Sequence, residues 1–157
     1  MGLTFTLYFP LYRGEALIAE AVNSMEEGQG ETIVVVDDDP RHRHLAHTAL
    51  ERVGYKVVVL ESGEGAVCYL KDHSAEVVIL DMVMEGIGGV EALRQIREYN
   101  PSQAATILTG NPTSERAQAA IDFGNCDVLA KPIQVSTLTR VIHAVLARAT
   151  VLPSATQ

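Results

Sequence analysis

Between Thr32 and Arg148 one pattern recurs five times: a short apolar run, a polar or glycine-containing break, then a stretch with apolar residues at helical spacing. The runs are "TIVVV" (32–36), "YKVVVL" (55–60), "EVVIL" (76–80), "AATILT" (104–109) and "CDVLA" (126–130). Runs with so little polar alternation suit strands buried on both faces, and such strands need helices on both sides of their sheet. The intervening stretches supply those helices. Pro40 suits a first helical turn, and Leu45, Ala46, Ala49, Leu50 and Val53 follow at helical spacing until Gly54. "GEGAVCYLKD" (63–72) turns Ala66, Val67 and Leu70 inward, and "VEALRQIREY" (90–99) stops at Asn100-Pro101. "SERAQAAIDF" (114–123) ends at Gly124, and "TLTRVIHAVLAR" (137–148) carries Leu138, Val141, Ile142, Val145 and Leu146 on one stripe.

Five successive βα units predict an α/β fold with a doubly wound, five-stranded parallel sheet and helices on both faces. Right-handed crossovers leave few topologies, and the flavodoxin-like order 2-1-3-4-5 is the natural one. At 157 residues and 47% hydrophobic, the chain can bury the core that this sheet needs. A net charge of -8 argues against nucleic acid as a partner. No apolar run reaches membrane-spanning length, so direct membrane contact is not expected. Cys68 and Cys126 are widely separated and read as packing residues in a reducing, cytoplasmic setting.

In such sheets the ligand binds beyond the carboxyl ends of the strands. The first run ends in Asp37, Asp38 and Asp39, the third in Asp81, the fourth in Thr109, and the fifth in Lys131-Pro132. In the order 2-1-3-4-5 the first and third strands are neighbours, so Asp37, Asp38 and Asp81 must crowd together. Carboxylates sharing a cleft resist joint ionisation, and a divalent cation relieves this. Mg²⁺ prefers oxygen ligands and keeps several waters, which leaves room for a phosphoryl oxygen. Lys131 and Thr109 are suited to bind other phosphoryl oxygens. A carboxylate nucleophile, a cation, a lysine and a hydroxyl are sufficient parts for making an acyl phosphate.

"IVVVDDDP", "VVILDMVMEGIGGVE", "ATILTG" and "DVLAKPI", in this order and each at a strand end, resemble the receiver domain of two-component response regulators. The resemblance implies Asp81 as phosphoacceptor, Asp38 as direct metal ligand, and Asp37 as its neighbour acting largely through water. It implies a backbone carbonyl ligand from Val83, so that the metal set is Asp37, Asp38, Asp81 and Val83 for Mg²⁺ or Mn²⁺. It also implies Thr109 as switch hydroxyl, Lys131 as phosphoryl-binding lysine, and a cis bond before Pro132. Two positions depart from the family's pattern. Glu85 stands where proline is usual, and Val128 where an aromatic is usual, so switching must rest on Thr109 and the loop after it.

Other features carry simpler readings. Asp39 should face the start of the helix after the first strand, where a carboxylate offsets the helix dipole. His42, His44 and His47 do not share one helical face and read as exposed helix surface. Met82 and Met84 read as core and rim. A phosphatase with an aspartate nucleophile would want an acid two residues after it, where Val83 stands, and a nucleotide-binding module would find "DDDP" repulsive.

The opening "LTFTLYFP" (3–10) alternates as a half-buried strand does, yet it has no partner among the five runs. "GLTFTLYFP" resembles the final strand of the ATP-binding domain of sensor histidine kinases. The resemblance divides the chain into a remnant kinase strand (1–10), a linker with some helical content (11–30), the receiver (31–149) and a tail (150–157). On that reading the chain is the receiver of a hybrid histidine kinase, and its partner is the phosphohistidine of a cognate kinase or phosphotransfer domain. The segment itself would have at most self-phosphorylation and self-dephosphorylation activity. The alternative is a stand-alone regulator acting by protein contact. The open edge of the remnant strand would also allow a homodimer.

Overall fold

The computed structural model describes residues 28–155, with side chains as far as residue 148. The segment expected to be a remnant kinase strand (1–10), and residues 11–27 of the expected linker (11–30), lie outside the described residues. In chain order the elements are β1 (Thr32–Val36), α1 (Pro40–Arg52), β2 (Lys56–Leu60), α2 (Gly63–Asp72) and β3 (Val77–Asp81). They continue with α3 (Gly89–Tyr99), β4 (Ala104–Thr109), α4 (Glu115–Asp122), β5 (Cys126–Ala130) and α5 (Val135–Ala155). All strand pairs are parallel and the order is β2-β1-β3-β4-β5, as the sequence predicts.

Strand alternation divides the core in two. Val34, Val36, Val78, Leu80, Ala105 and Ile107 meet the inner sides of α2, α3 and α4, including Ala66, Leu93, Ile96 and Ala120. Ile33, Val35, Val77, Ile79, Ala104 and Leu108 meet Leu50, Val53, Leu138, Ile142 and Val145 of α1 and α5. Both faces being apolar is why these strands read as continuous runs. Truncating a fully buried member such as Ile79 or Leu80 to alanine should cost about 2–5 kcal/mol.

Register sets the strand ends level. Val36 pairs with Leu80, so the next residues, Asp37 and Asp81, emerge side by side. Asp81 also pairs with Leu108, and Thr109 with Ala130, which brings Thr109 and Lys131 to the same edge. Asp81 is the last residue of β3 rather than the first beyond it, because Met82 N still donates to the Leu108 carbonyl at 2.8 Å.

Three details add to or depart from the sequence expectations. α5 runs on to Ala155, into the segment read as a tail. Cys126 is buried as expected, but Cys68 is exposed on the outer side of α2 rather than packed. Leu45, one of the apolar residues at helical spacing in α1, is 43% exposed.

Candidate functional site

Each loop at the carboxyl end of the sheet is shaped by its own sequence. After β1, Asp39 caps α1: its Oδ1 accepts from Arg41 N at 2.8 Å, the position foreseen for it. The Arg41 guanidinium on Asp39 Oδ2 (2.7 Å) holds that carboxyl well below the usual carboxylate range. Asp39 therefore belongs to the helix start, and its neighbours are left to face the cleft. After β3, the Gly88-Gly89 pair lets α3 begin against the strand end. Gly89 N donates to the Met82 carbonyl at 3.0 Å, and a Cβ on Gly89 would lie 2.5 Å from the Asp81 carbonyl. No side chain larger than glycine fits there without moving the backbone of the strand.

Asp37 and Asp81 are buried, at 4% and 6% exposure, while Asp38 is exposed. One carboxylate oxygen from each of Asp37, Asp38 and Asp81 lies within 4.8 Å of the others. Lys131 Nζ stands 2.9 Å from Asp81 Oδ2, and Val83 N donates to Asp81 Oδ1 at 3.3 Å. Among the described residues, Lys131 supplies the one ammonium paired directly with these carboxylates, so a divalent cation among them would offset their mutual repulsion. The all-oxygen donor set and its spacing fit a hard cation of the Mg²⁺ kind.

Thr109 is buried at the end of β4, and its Oγ1 accepts from Asn111 N at 3.0 Å. The Lys131–Pro132 bond is cis. Val83 is 68% exposed at the mouth of the cleft. Met82 and Met84 are both buried. Val128 is partly buried against the core on the side of α2, α3 and α4.

Position 85 has a consequence that the family pattern hides. Glu85 N donates to Asp38 Oδ2 at 3.3 Å, and a proline there would have no N–H to give. The same loop is tied from the other side by Ile87 N donating to Glu64 Oε2 of α2, at 3.1 Å. Gly86, between them, adopts φ of +83°. Two backbone clamps thus hold the turn that a proline would otherwise stiffen.

Two groups that residue spacing does not reveal stand behind Asp37. His42 is not merely exposed helix surface: its Nδ1 lies 3.0 Å from Asp37 Oδ2. Arg43 Nη1 donates to the Asp37 carbonyl at 2.7 Å. His42, in the first turn of α1, points back at the end of β1. An apolar cavity of about 410 Å³ also opens between α1 and α5, reaching Asp37, His42 and Lys131. Leu45 lies on its wall, which accounts for the exposure of that side chain.

The family model of the response regulator receiver domain matches residues 33–143. The chain belongs to that family. Among curated relatives, the receiver is 27% identical over 122 residues to the probable transcriptional regulatory protein TcrX of Mycobacterium tuberculosis, covering 78% of this chain and 52% of TcrX. It is 30% identical over 117 residues to protein PilH of Pseudomonas aeruginosa, covering 73% of this chain and 97% of PilH. The chain thus spans about half the length of TcrX and nearly all of PilH. Among solved structures, it is similar to the receiver domain of a sensor histidine kinase from Pseudomonas aeruginosa PAO1, with 25% identity and a TM-score of 0.68. That match covers 75% of this chain and 98% of the other, which holds a magnesium ion in its active-site cleft. No helix among the described residues of this receiver is long and apolar enough to cross a membrane.

Proposed function

We propose that this receiver accepts a phosphoryl group onto Asp81 from the phosphohistidine of a cognate kinase or phosphotransfer domain, with Mg²⁺ or Mn²⁺ in the acidic cleft. The observation that carries the reading is the buried Asp81 carboxylate, paired with Lys131 Nζ at 2.9 Å and crowded by Asp37 and Asp38. Asp37, Asp38 and Asp81 would hold the cation, with the Val83 carbonyl as a further ligand. Bound there, the cation supplies counter-charge to the carboxylates and to the incoming phosphoryl oxygens.

The chain's own residues do the rest. An Asp81 carboxylate oxygen forms the new O–P bond as the P–N bond of the phosphohistidine breaks. The electron pair leaves with the imidazole, which takes up a proton. Phosphoryl transfer asks for positioning and charge neutralisation more than covalent help. Val83 N–H orients the Asp81 carboxylate from one side. Lys131 passes its ion pair from Asp81 Oδ2 to a phosphoryl oxygen, keeping the charge matched as it moves. Thr109, whose oxygen accepts from Asn111 N, keeps its own proton to donate to the phosphoryl group. With Val128 in place of an aromatic, Thr109 and the loop after it carry the conformational response.

The parent molecule is a separate question. The kinase-like run at 3–10 favours a hybrid histidine kinase, and a sensor-kinase receiver among the similar structures is consistent with that. The near-complete coverage of PilH favours a stand-alone regulator. The reading frame upstream of Met1 separates the two: a kinase ATP-binding domain running into Leu3–Pro10 supports the hybrid. TcrX is named a transcriptional regulatory protein, so the absence of nucleic-acid contact is proposed for this acidic segment alone. The phosphoacceptor reading is tested with acetyl phosphate. The chain should gain a phosphoryl group with Mg²⁺, and lose that ability with a chelator or in Asp38→Ala. Unchanged phosphorylation under chelation would contradict it.

A further inference from the structure

We propose that His42 is a positioning residue for the cation site, its Nδ1–H fixing the Asp37 carboxylate so that it faces Asp38 and Asp81. The inference rests on the reading of that cleft as a Mg²⁺-dependent phosphoacceptor site. Asp37 has a partner on each carboxylate oxygen. Its Oδ1 accepts from Asp39 N at 2.9 Å, its Oδ2 faces His42 Nδ1 at 3.0 Å, and its backbone carbonyl accepts from Arg43 at 2.7 Å. Asp38, by contrast, is exposed and accepts from the Glu85 amide at 3.3 Å. A carboxylate has about four acceptor positions, so one donor on each oxygen still leaves room for a cation or its waters.

The contact follows from local chain geometry. Asp39 caps α1 and Pro40 starts it, which places His42 in the first turn with its ring over the end of β1. The ring's other nitrogen lies 3.7 Å from Asp39 Oδ2, beyond hydrogen-bond reach, so the directed bond is the one from Nδ1. Without that donor, the Asp37 carboxylate keeps its Oδ1 anchor, but its plane is free to rock about it. Cation binding would then have to order the group. Outer-shell donors to metal-binding groups are typically worth about 10–100-fold in affinity. The His42 side chain is 51% exposed, which puts the expected effect at the lower end, about tenfold.

The test is calorimetric titration of Mg²⁺ into the full chain at one pH, for wild type, His42→Ala, His42→Asn and His42→Gln. Asparagine places an amide N–H where Nδ1 stands, whereas glutamine reaches to the place of Nε2. The account expects His42→Ala and His42→Gln to bind about tenfold more weakly, and His42→Asn to stay within about threefold of wild type. Thermal unfolding without Mg²⁺ should be alike in all four proteins, whereas a merely structural role would lower it in the variants. Wild-type affinity in His42→Ala, or failure of asparagine to restore what alanine loses, would overturn the proposal. Absence of Mg²⁺ binding by wild type would instead overturn the reading of the cleft itself, and this proposal with it.

Discussion

The two ends of the sheet treat charge in opposite ways. At the amino ends of β4 and β5, the Arg97 guanidinium of α3 donates to the carbonyls of Gln103, Phe123, Gly124 and Asn125, over distances of 2.7–3.1 Å. Its donors are saturated by backbone oxygens, and burial pushes its pKa below the ordinary value without a carboxylate to answer it. At the carboxyl ends, Asp37, Asp38 and Asp81 face one lysine. One end is complete within the chain and serves to join α3 to two loops. The other is left short of positive charge and calls for a ligand. A half-buried ionic group with all its bonds made fastens the fold; buried carboxylates left short of counter-charge mark a candidate binding site.

Among changes that set the two ends against each other, the largest expected effect on stability comes from breaking the fastener. Arg97→Ala should cost about 3 kcal/mol in chemical denaturation, because several carbonyls lose charged donors at once. At a temperature where the variant stays folded, its phosphorylation by acetyl phosphate should match wild type. A smaller loss is expected from Gly89→Ala, about 2 kcal/mol, since the new Cβ would press on the Asp81 carbonyl. Unlike Arg97→Ala, this change sits at the chemical end, and it should slow phosphorylation as well. Equal effects of the two variants on phosphorylation would erase the distinction between the ends.

The smallest effect concerns Cys126, near the Arg97 end. Burial pushes its thiol from 9.0 up to about 11. A raised pKa favours the neutral folded form, so its stabilising contribution is intact below pH 9 and is lost as pH rises toward 11. At pH 10 the loss relative to Cys126→Ala should be about 1 kcal/mol, read from the difference in their alkaline denaturation slopes. At neutral pH a thiol reagent should label exposed Cys68 and spare Cys126 while the chain is folded.

The carboxyl end was far more legible in the sequence than the amino end. Asp37, Asp38, Asp81 and Lys131 stand just after apolar runs and Thr109 closes one, so all five fall at one edge of the sheet, and strand order predicts that the three aspartates meet. Asp39 could be assigned to the helix start because a cap acts within a few residues. Arg97 gave no such signal. Its partners lie six residues on at Gln103, and 26 to 28 residues on at Phe123, Gly124 and Asn125. They are backbone oxygens, which leave no trace in residue type. His42 escaped for a related reason: helical spacing says which histidines share a face, not which neighbouring strand end that face meets. The tie between Glu85 N and Asp38 was equally hidden, since a backbone donor shows in sequence only as the absence of proline.

The claim that the carboxyl end is built for chemistry is tested most directly by intact-mass measurement of wild type and Asp81→Asn after incubation with Mg²⁺ and acetyl phosphate. Wild type should gain a single phosphoryl group and Asp81→Asn none, with both chains equally folded beforehand. A phosphoryl group on Asp81→Asn, or none on folded wild type, would contradict the account.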